Sequence, residues 1–150
     1  QQGRPMSPRL VNTIIAGLED VIGQPYGTGH HLSLESGREP IFRVKGARIA
    51  AKTGTAQAPP WRRDLDGDGT IEKGERVTNL EHSWVGGLVG NADGPWRSAY
   101  AVLVESGGSG GRVAGPIADQ VIRVLQDESY VSGGDSGFAR VHLLSVLGAA

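Results

Sequence analysis

"RVKGARIAAKTGTAQ", residues 43–57, is the stretch on which the reading of this chain turns. It predicts a strand, with Gly46 offering a bend near its start. Along a strand alternate side chains share a face. Lys52 and Gly54 then point one way, Thr53 and Thr55 the other. Lysine brings positive charge, and threonine hydroxyls hydrogen-bond a carboxylate. Gly54 removes a side chain where another molecule can approach the backbone. The tetrad therefore suits an anionic ligand laid along the strand. An ordinary strand end with an exposed lysine and a glycine bulge would carry the same four letters, so the surroundings must decide.

Upstream, "SPRLVNTIIAGLEDVIG" (7–23) opens with a Ser-Pro helix-start signal. Leu10, Ile14, Leu18 and either Val21 or Ile22 fall on one face of the predicted helix. Residues 27–40 read as a polar loop. Downstream, 58–80 is a long connection. "HSWVGGLVG" (82–90) and "RSAYAVLVES" (97–106) predict two strands joined by the hairpin "NADGPW". Trp84 is expected to face the core. Trp61 and Trp96 fall in predicted loops and are candidates for the rim of a groove. "GGSGG" (107–111) lacks the Gly-Lys-Ser/Thr ending of a phosphate loop and reads as a flexible connector. Residues 115–128 predict a helix with Ile117, Val121, Val124 and Leu125 on one side. Residues 129–150 read as a linker and C-terminal tail. The order implies an α+β fold, an antiparallel sheet covered by helices.

The chain has 150 residues, enough for one domain, and a net charge of −1. Its basic residues are scattered, which argues against nucleic acid and anionic membrane as partners. The absence of cysteine excludes disulfides and thiolate metal sites. No apolar run approaches the roughly 20 residues that span a bilayer, and no signal peptide opens the chain.

The long connection carries a second signal. Asp64, Asp66 and Asp68 stand at positions 1, 3 and 5 of a twelve-residue calcium-loop pattern, with Gly69 at position 6. Thr70 offers its carbonyl at position 7, Ile71 is the apolar residue at position 8, Glu72 takes position 9 and Glu75 position 12. Alternate carboxylates converge on one hard cation, Gly69 permits the sharp turn, and Glu75 can bind through both oxygens. "APPWRR" before the loop contains two prolines, so the entering helix of a full EF-hand is missing. The pattern predicts a lone structural Ca2+ loop of modest affinity, against the plainer alternative of a solvated acidic loop rich in Asx turns. No cofactor is expected for catalysis.

Taken together, these segments resemble the penicillin-binding protein transpeptidase family, class B members in particular. Lys-Thr-Gly is one of that fold's active-site motifs. "LVNTIIAGLEDVI" followed by "GTG", "ARIAAKTGTAQ", "HSWVGGLVG" with "YAVLVE", and "GGRVAGPIADQVIRVL" are similar to family elements in family order, over roughly residues 8–127. The resemblance implies the C-terminal portion of a β-lactamase/transpeptidase-like fold over residues 1–128, with the calcium-loop-like insertion at 58–80. It implies that Lys52 positions the substrate carboxylate and tunes proton transfer at the nucleophile. It further implies that Thr53 and Thr55 offer hydroxyls to that carboxylate, that the Thr55 N–H is an oxyanion donor, and that Gly54 lets substrate lie against the strand. The implied partners are peptidoglycan stem peptides and β-lactams, together with the upstream part of the same domain. The implied location is the cell envelope, on the periplasmic or extracytoplasmic side.

One departure is large. The family's Ser-x-x-Lys nucleophile and Ser-x-Asn motifs are absent: Phe42, Ile49 and Thr70 stand three residues before the three lysines. The chain is expected to be the C-terminal part of a domain whose nucleophile lies upstream, and to be inactive alone. His30, His31 and His82 do not supply a Ser-His-Asp arrangement that sequence can argue. A D,D-carboxypeptidase, a serine β-lactamase, a non-catalytic β-lactam sensor or scaffold, and a calcium-dependent interaction module stay open as alternatives. A sheet lacking its earlier strands and helices is expected to expose an edge and an apolar face.

Overall fold

A computed structural model describes residues 5–62, 64–77 and 80–131. Helix α1 (Pro8–Gly23) starts where Ser7 accepts a hydrogen bond from the Leu10 amide, with Pro8 in the first turn. A hairpin follows, β1 (His31–Leu34) paired with β2 (Gly37–Pro40). The polar loop expected at 27–40 is therefore half strand. Its alternation was hidden because both strands are four residues long and largely exposed.

The centre is a three-stranded antiparallel sheet in the order β3 (Ala47–Gln57), β6 (Glu81–Asn91), β7 (Trp96–Val104). Strand β3 begins after Gly46, whose φ of 74° makes the bend. Its partner register runs unbroken from Ala47 opposite Asn91 to Gln57 opposite Glu81. Between β3 and β6 the chain makes a two-residue ladder, β4 (Trp61–Arg62) with β5 (Arg76–Val77). Helix α2 (Gly115–Asp127) closes the described part of the chain.

One face of the sheet carries Ile49, Ala51 and Thr53 from β3, Val85 and Val89 from β6, and Tyr100 from β7, all buried. Ala114, Ala118 and Ile122 pack into this layer, with Leu125 partly buried against it. The helix thus uses a different stripe from the one expected. Ile117 and Val124 are exposed, and Ala118, Asp119 and Ile122 are buried. Small Ala118 lets the helix approach closely, and buried Asp119 accepts from the Arg43 and Val44 amides and from Arg123. An apolar count favoured the larger residues and missed a face made of alanine and an aspartate with bonds to satisfy. Val131, beyond the helix, is 1% exposed and belongs to the same core.

The opposite face is partly open. Trp84 is 40% exposed and Leu103 44%, side by side in register, so Trp84 does not face the core as expected. Strand parity explains it: Ser83 and Val85 take the inward positions and turn Trp84 outward. Helix α1 lies along β3, tied by Glu19 to Arg48 at 2.5 Å, yet none of its residues is buried and Leu10 and Ile14 stay exposed. No helix among the described residues is long and apolar enough to cross a membrane.

Strands β3 and β6 meet with no room at Gly87. A Cβ there would stand 1.9 Å from the Ala50 carbonyl oxygen. Gly87→Ala is expected to destabilise the fold by about 3 kcal/mol, since the ladder must part to admit a methyl group. Urea denaturation of both proteins checks this, and an unchanged midpoint would refute it.

Candidate active site and cation loop

Strand β3 is the edge of its sheet, paired with β6 on one side and free of strand partners on the other among the described residues. The tetrad lies towards its C-terminal end. Alternation holds: Lys52 and Gly54 lie on the face away from α2, Thr53 and Thr55 on the α2 face. Lys52 and Thr55 are exposed. The Lys52 ammonium donates to the Thr53 carbonyl. Thr53 differs from its neighbours, being 8% exposed with its hydroxyl 2.7 Å from that of Thr28. The structure therefore joins Thr53 to a residue the sequence reading did not single out. The signal was present in the "GTG" at 27–29, which was matched as a segment and not as a side chain.

The glycine-rich segment 107–111 is not a loose connector. Gly110–Ala114 form a single π-helical turn seated on the tetrad. A Cβ on Gly110 would stand 2.3 Å from the Trp84 carbonyl oxygen and 2.4 Å from that of Gly54. One on Gly111 would stand 2.8 Å from the Thr28 carbonyl oxygen. Buried Ser83 ties the turn to the sheet, donating to the Ser109 carbonyl at 2.9 Å and accepting from the Ala114 amide at 3.0 Å. Glycine was read as slack, whereas here it permits contact between backbones.

Trp96 is not at the rim of the tetrad. It begins β7 opposite Gly90, with the Arg48 guanidinium 4.4 Å from its ring centroid. Arg48 is six positions from Gly54 along β3, roughly 20 Å at strand rise. The Trp61 side chain lies outside the described residues. His30 and His31 pair through their Nδ1 atoms at 3.0 Å, and His82 Nδ1 accepts from the Ser106 amide. None of the three bonds to the tetrad among the described residues.

The acidic loop springs from the β4–β5 ladder, so two short strands stand where an EF-hand has helices. Asp64 accepts from the Gly67 amide at 2.6 Å and the Gly69 amide at 2.7 Å. Asp66 accepts from the Asp68 amide, and Asp68 from the Thr70 amide and hydroxyl, the latter two both at 2.7 Å. The Thr70 hydroxyl also bonds Glu72. Glu75, on the buried side, accepts from the Leu65 amide at 2.7 Å and the Glu72 amide at 3.1 Å. Gly69 has a φ of 86°, the turn expected of it. Carboxylate oxygens of Asp64, Asp66 and Asp68 lie within 4.8 Å of one another, and so do those of Asp66, Glu72 and Glu75. Asp66 joins the two groups. The donors are all oxygens, which fits a hard cation such as Ca2+.

A family model described as the penicillin binding protein transpeptidase domain matches residues 1–123. No individually curated protein matches the chain.

The loop's own hydrogen bonds set its response to acid. The Gly69 amide holds the Asp64 carboxyl below the usual range, the Thr70 hydroxyl does so for Asp68, and the Leu65 amide does so for Glu75. A depressed folded-state pKa stabilises the ordered loop above the ordinary carboxylate value of about 4, and that contribution is lost as pH falls through the lower folded values. Amide protection factors at Leu65, Gly67 and Gly69, measured with chelator present, are expected to fall together below about pH 4. Protection that held steady at that acidity would contradict the assignment of these bonds.

Proposed function

The chain belongs to the penicillin-binding protein transpeptidase family, and we propose that it supplies the substrate-binding strand of a serine D,D-transpeptidase that cross-links peptidoglycan stem peptides in the cell envelope. The observation that carries this reading is the outer edge of β3, free of strand partners among the described residues, at an exposed Lys52 and Thr55, on a strand whose other edge is fully paired. A donor peptide adds to that edge as a further strand, with Gly54 leaving room for its backbone. Thr53 and Thr55 offer hydroxyls to its terminal carboxylate. Lys52 leaves its intrachain carbonyl partner to hold the carboxylate and assist proton transfer. The Thr55 N–H is one of two oxyanion donors.

The reaction is acyl transfer. A serine from outside residues 1–150 attacks the penultimate carbonyl, a C–O bond forms, and the amide C–N bond breaks. The terminal residue leaves with a proton on its new amine. An acceptor amine then takes the acyl group and releases the serine. If water takes the amine's place, the same residues serve a carboxypeptidase or a β-lactamase. A β-lactam sensor is the non-catalytic reading, and an intact Lys52-Thr53-Gly54-Thr55 weighs against it.

The loop at 64–75 belongs to the same proposal as a structural Ca2+ site at the end of β3. Asp64, Asp66, Asp68, the Thr70 carbonyl, Glu72 and Glu75 would hold the ion. It would neutralise repelling carboxylates and stiffen the excursion that leaves the tetrad, with no part in bond making. The alternative function, a calcium-dependent interaction module, shares this site but makes Lys52 irrelevant.

Two measurements test these readings. The first is intact mass after incubation with benzylpenicillin, on this chain and on the complete native polypeptide that carries it. An adduct is expected on the complete polypeptide alone, formed at least about a hundredfold more slowly in Lys52→Ala. Absence of adduct from both refutes the acyl-serine reading. The second is calcium titration by calorimetry, alongside limited proteolysis of the 58–80 segment. Saturable binding in the micromolar to millimolar range is expected, lost in the double variant Asp64→Asn, Glu75→Gln, with cleavage slowed by the ion. Cleavage that ignores calcium leaves the loop merely acidic.

A further inference from the structure

On the α2 side of the sheet, away from Lys52 and Gly54, a groove of about 500 Å³ opens between the β1–β2 hairpin and the first turns of α2. Leu32, Pro40 and Ile41 form its apolar wall on the hairpin side, and Pro116 on the helix side. Arg43 and Arg123 stand in the same lining, each about half exposed. The two walls are tied together from beneath. Asp119, 6% exposed, accepts from the Arg43 amide at 2.6 Å and the Val44 amide at 3.0 Å through Oδ1, and from the Arg123 Nε at 3.0 Å through Oδ2. Both oxygens of the one carboxylate in the lining are therefore occupied. Arg43 gives its Nε to the Pro40 carbonyl and a terminal nitrogen to Glu39, which stands outside the lining. Arg123 spends only its Nε: its two terminal nitrogens have no partner among the described residues. A guanidinium held at its inner edge by a buried carboxylate, with its outer fork unused, is set to take a second carboxylate end-on.

We propose that this groove docks a short acidic segment of a partner protein, with one Asp or Glu carboxylate on the outer fork of Arg123 and a neighbouring apolar side chain among Leu32, Pro40, Ile41 and Pro116. Charge decides the occupant. A basic segment would meet two guanidiniums, and a purely apolar one would leave the Arg123 N–H groups facing it unpaired. A carboxylate beside an apolar residue satisfies both walls at once. A volume of about 500 Å³ admits a few residues of extended chain and not a folded element. Because Asp119 already fixes the walls relative to each other, little ordering is left for the partner to bring about. Binding is modest and weakened by salt, since Arg123 is half exposed. The inference does not rest on the reading of β3. Groove and tetrad lie on opposite faces of the sheet, so a partner held here leaves the outer edge of β3 open.

The test uses the complete native polypeptide and its Arg123→Gln, Arg123→Lys and Gln120→Trp variants. Two acetylated, amidated peptides serve as probes, Gly-Leu-Glu-Leu-Gly and the same sequence with glutamine in place of glutamate. Affinities are read from the broadening of peptide signals in NMR titrations. The wild-type protein is expected to bind the glutamate peptide roughly tenfold more tightly than the glutamine peptide, a preference that Arg123→Gln removes and Arg123→Lys restores in part. Gln120 is exposed and lines the groove, so Gln120→Trp is expected to fill it and weaken both peptides while leaving the Arg123–Asp119 pair in place. That variant carries the test if Arg123→Gln fails to fold. Equal binding of the two peptides to the wild-type protein, or no binding of either, overturns the docking site. So does a preference that survives in folded Arg123→Gln, or binding unchanged by Gln120→Trp.

Discussion

The approach of Gly110 to the backbones of Gly54 and Trp84 is the constraint from which the rest of the arrangement follows. Two carbonyl oxygens sit where its side chain would be. That contact seats the turn on the sheet, and Ser83 then donates to the Ser109 carbonyl just before the turn and accepts from the amide of Ala114, its last residue. With the turn fixed, α2 leaves in the one direction that puts Ala118 and Ile122 over Val85 and Val89. The same seating brings Gly111 against the Thr28 carbonyl, in the wall of a cavity that both line. Strand β3, helix packing and cavity thus share one anchor, made of residues with no side chain to advertise it.

Much of this was legible in the sequence, and the failures have a common cause. Strands β3, β6 and β7 were evident because their apolar residues are long, regular and bounded by turns. The start of α1 was evident from Ser7-Pro8, which marks it by backbone chemistry alone. The buried stripe of α2 was missed because Ala118 and Asp119 are not apolar residues of any size, and the helix is held by proximity and by capped amides at Arg43 and Val44. Trp84 was misplaced because bulk was weighed above parity, although parity is the stricter rule on a strand. The first hairpin and the π-helical turn left no pattern to read, being short and partly made of glycine.

The tetrad shows what a motif conveys and what it conceals. Lys52-Thr53-Gly54-Thr55 located the strand. It did not reveal that Thr53 is spoken for by Thr28, nor that Thr28 lines one cavity with Arg112. Those facts depend on segments 25 and 59 residues away, joined only by folding. The loop from Asp64 to Glu75 is the opposite case. Its carboxylates are close together in the chain, so sequence spacing alone anticipated their convergence, down to the positive φ of Gly69.

The way the 58–80 excursion is anchored has a consequence for tolerance to change. Its two ends are already held together: the Ala58 amide bonds the Leu80 carbonyl at 2.8 Å, and Trp61 pairs with Val77. Closing a loop between points fixed by other bonds costs little more as the loop lengthens, about 0.6 kcal/mol for each doubling. What hangs from that clasp is therefore nearly decoupled from the register of β3 and β6. Substitutions, lengthening or wholesale exchange of the segment can accumulate there without disturbing the strand they adjoin. The clasp is a natural graft point, where a reporter or a different loop could be carried within reach of the outer edge of β3.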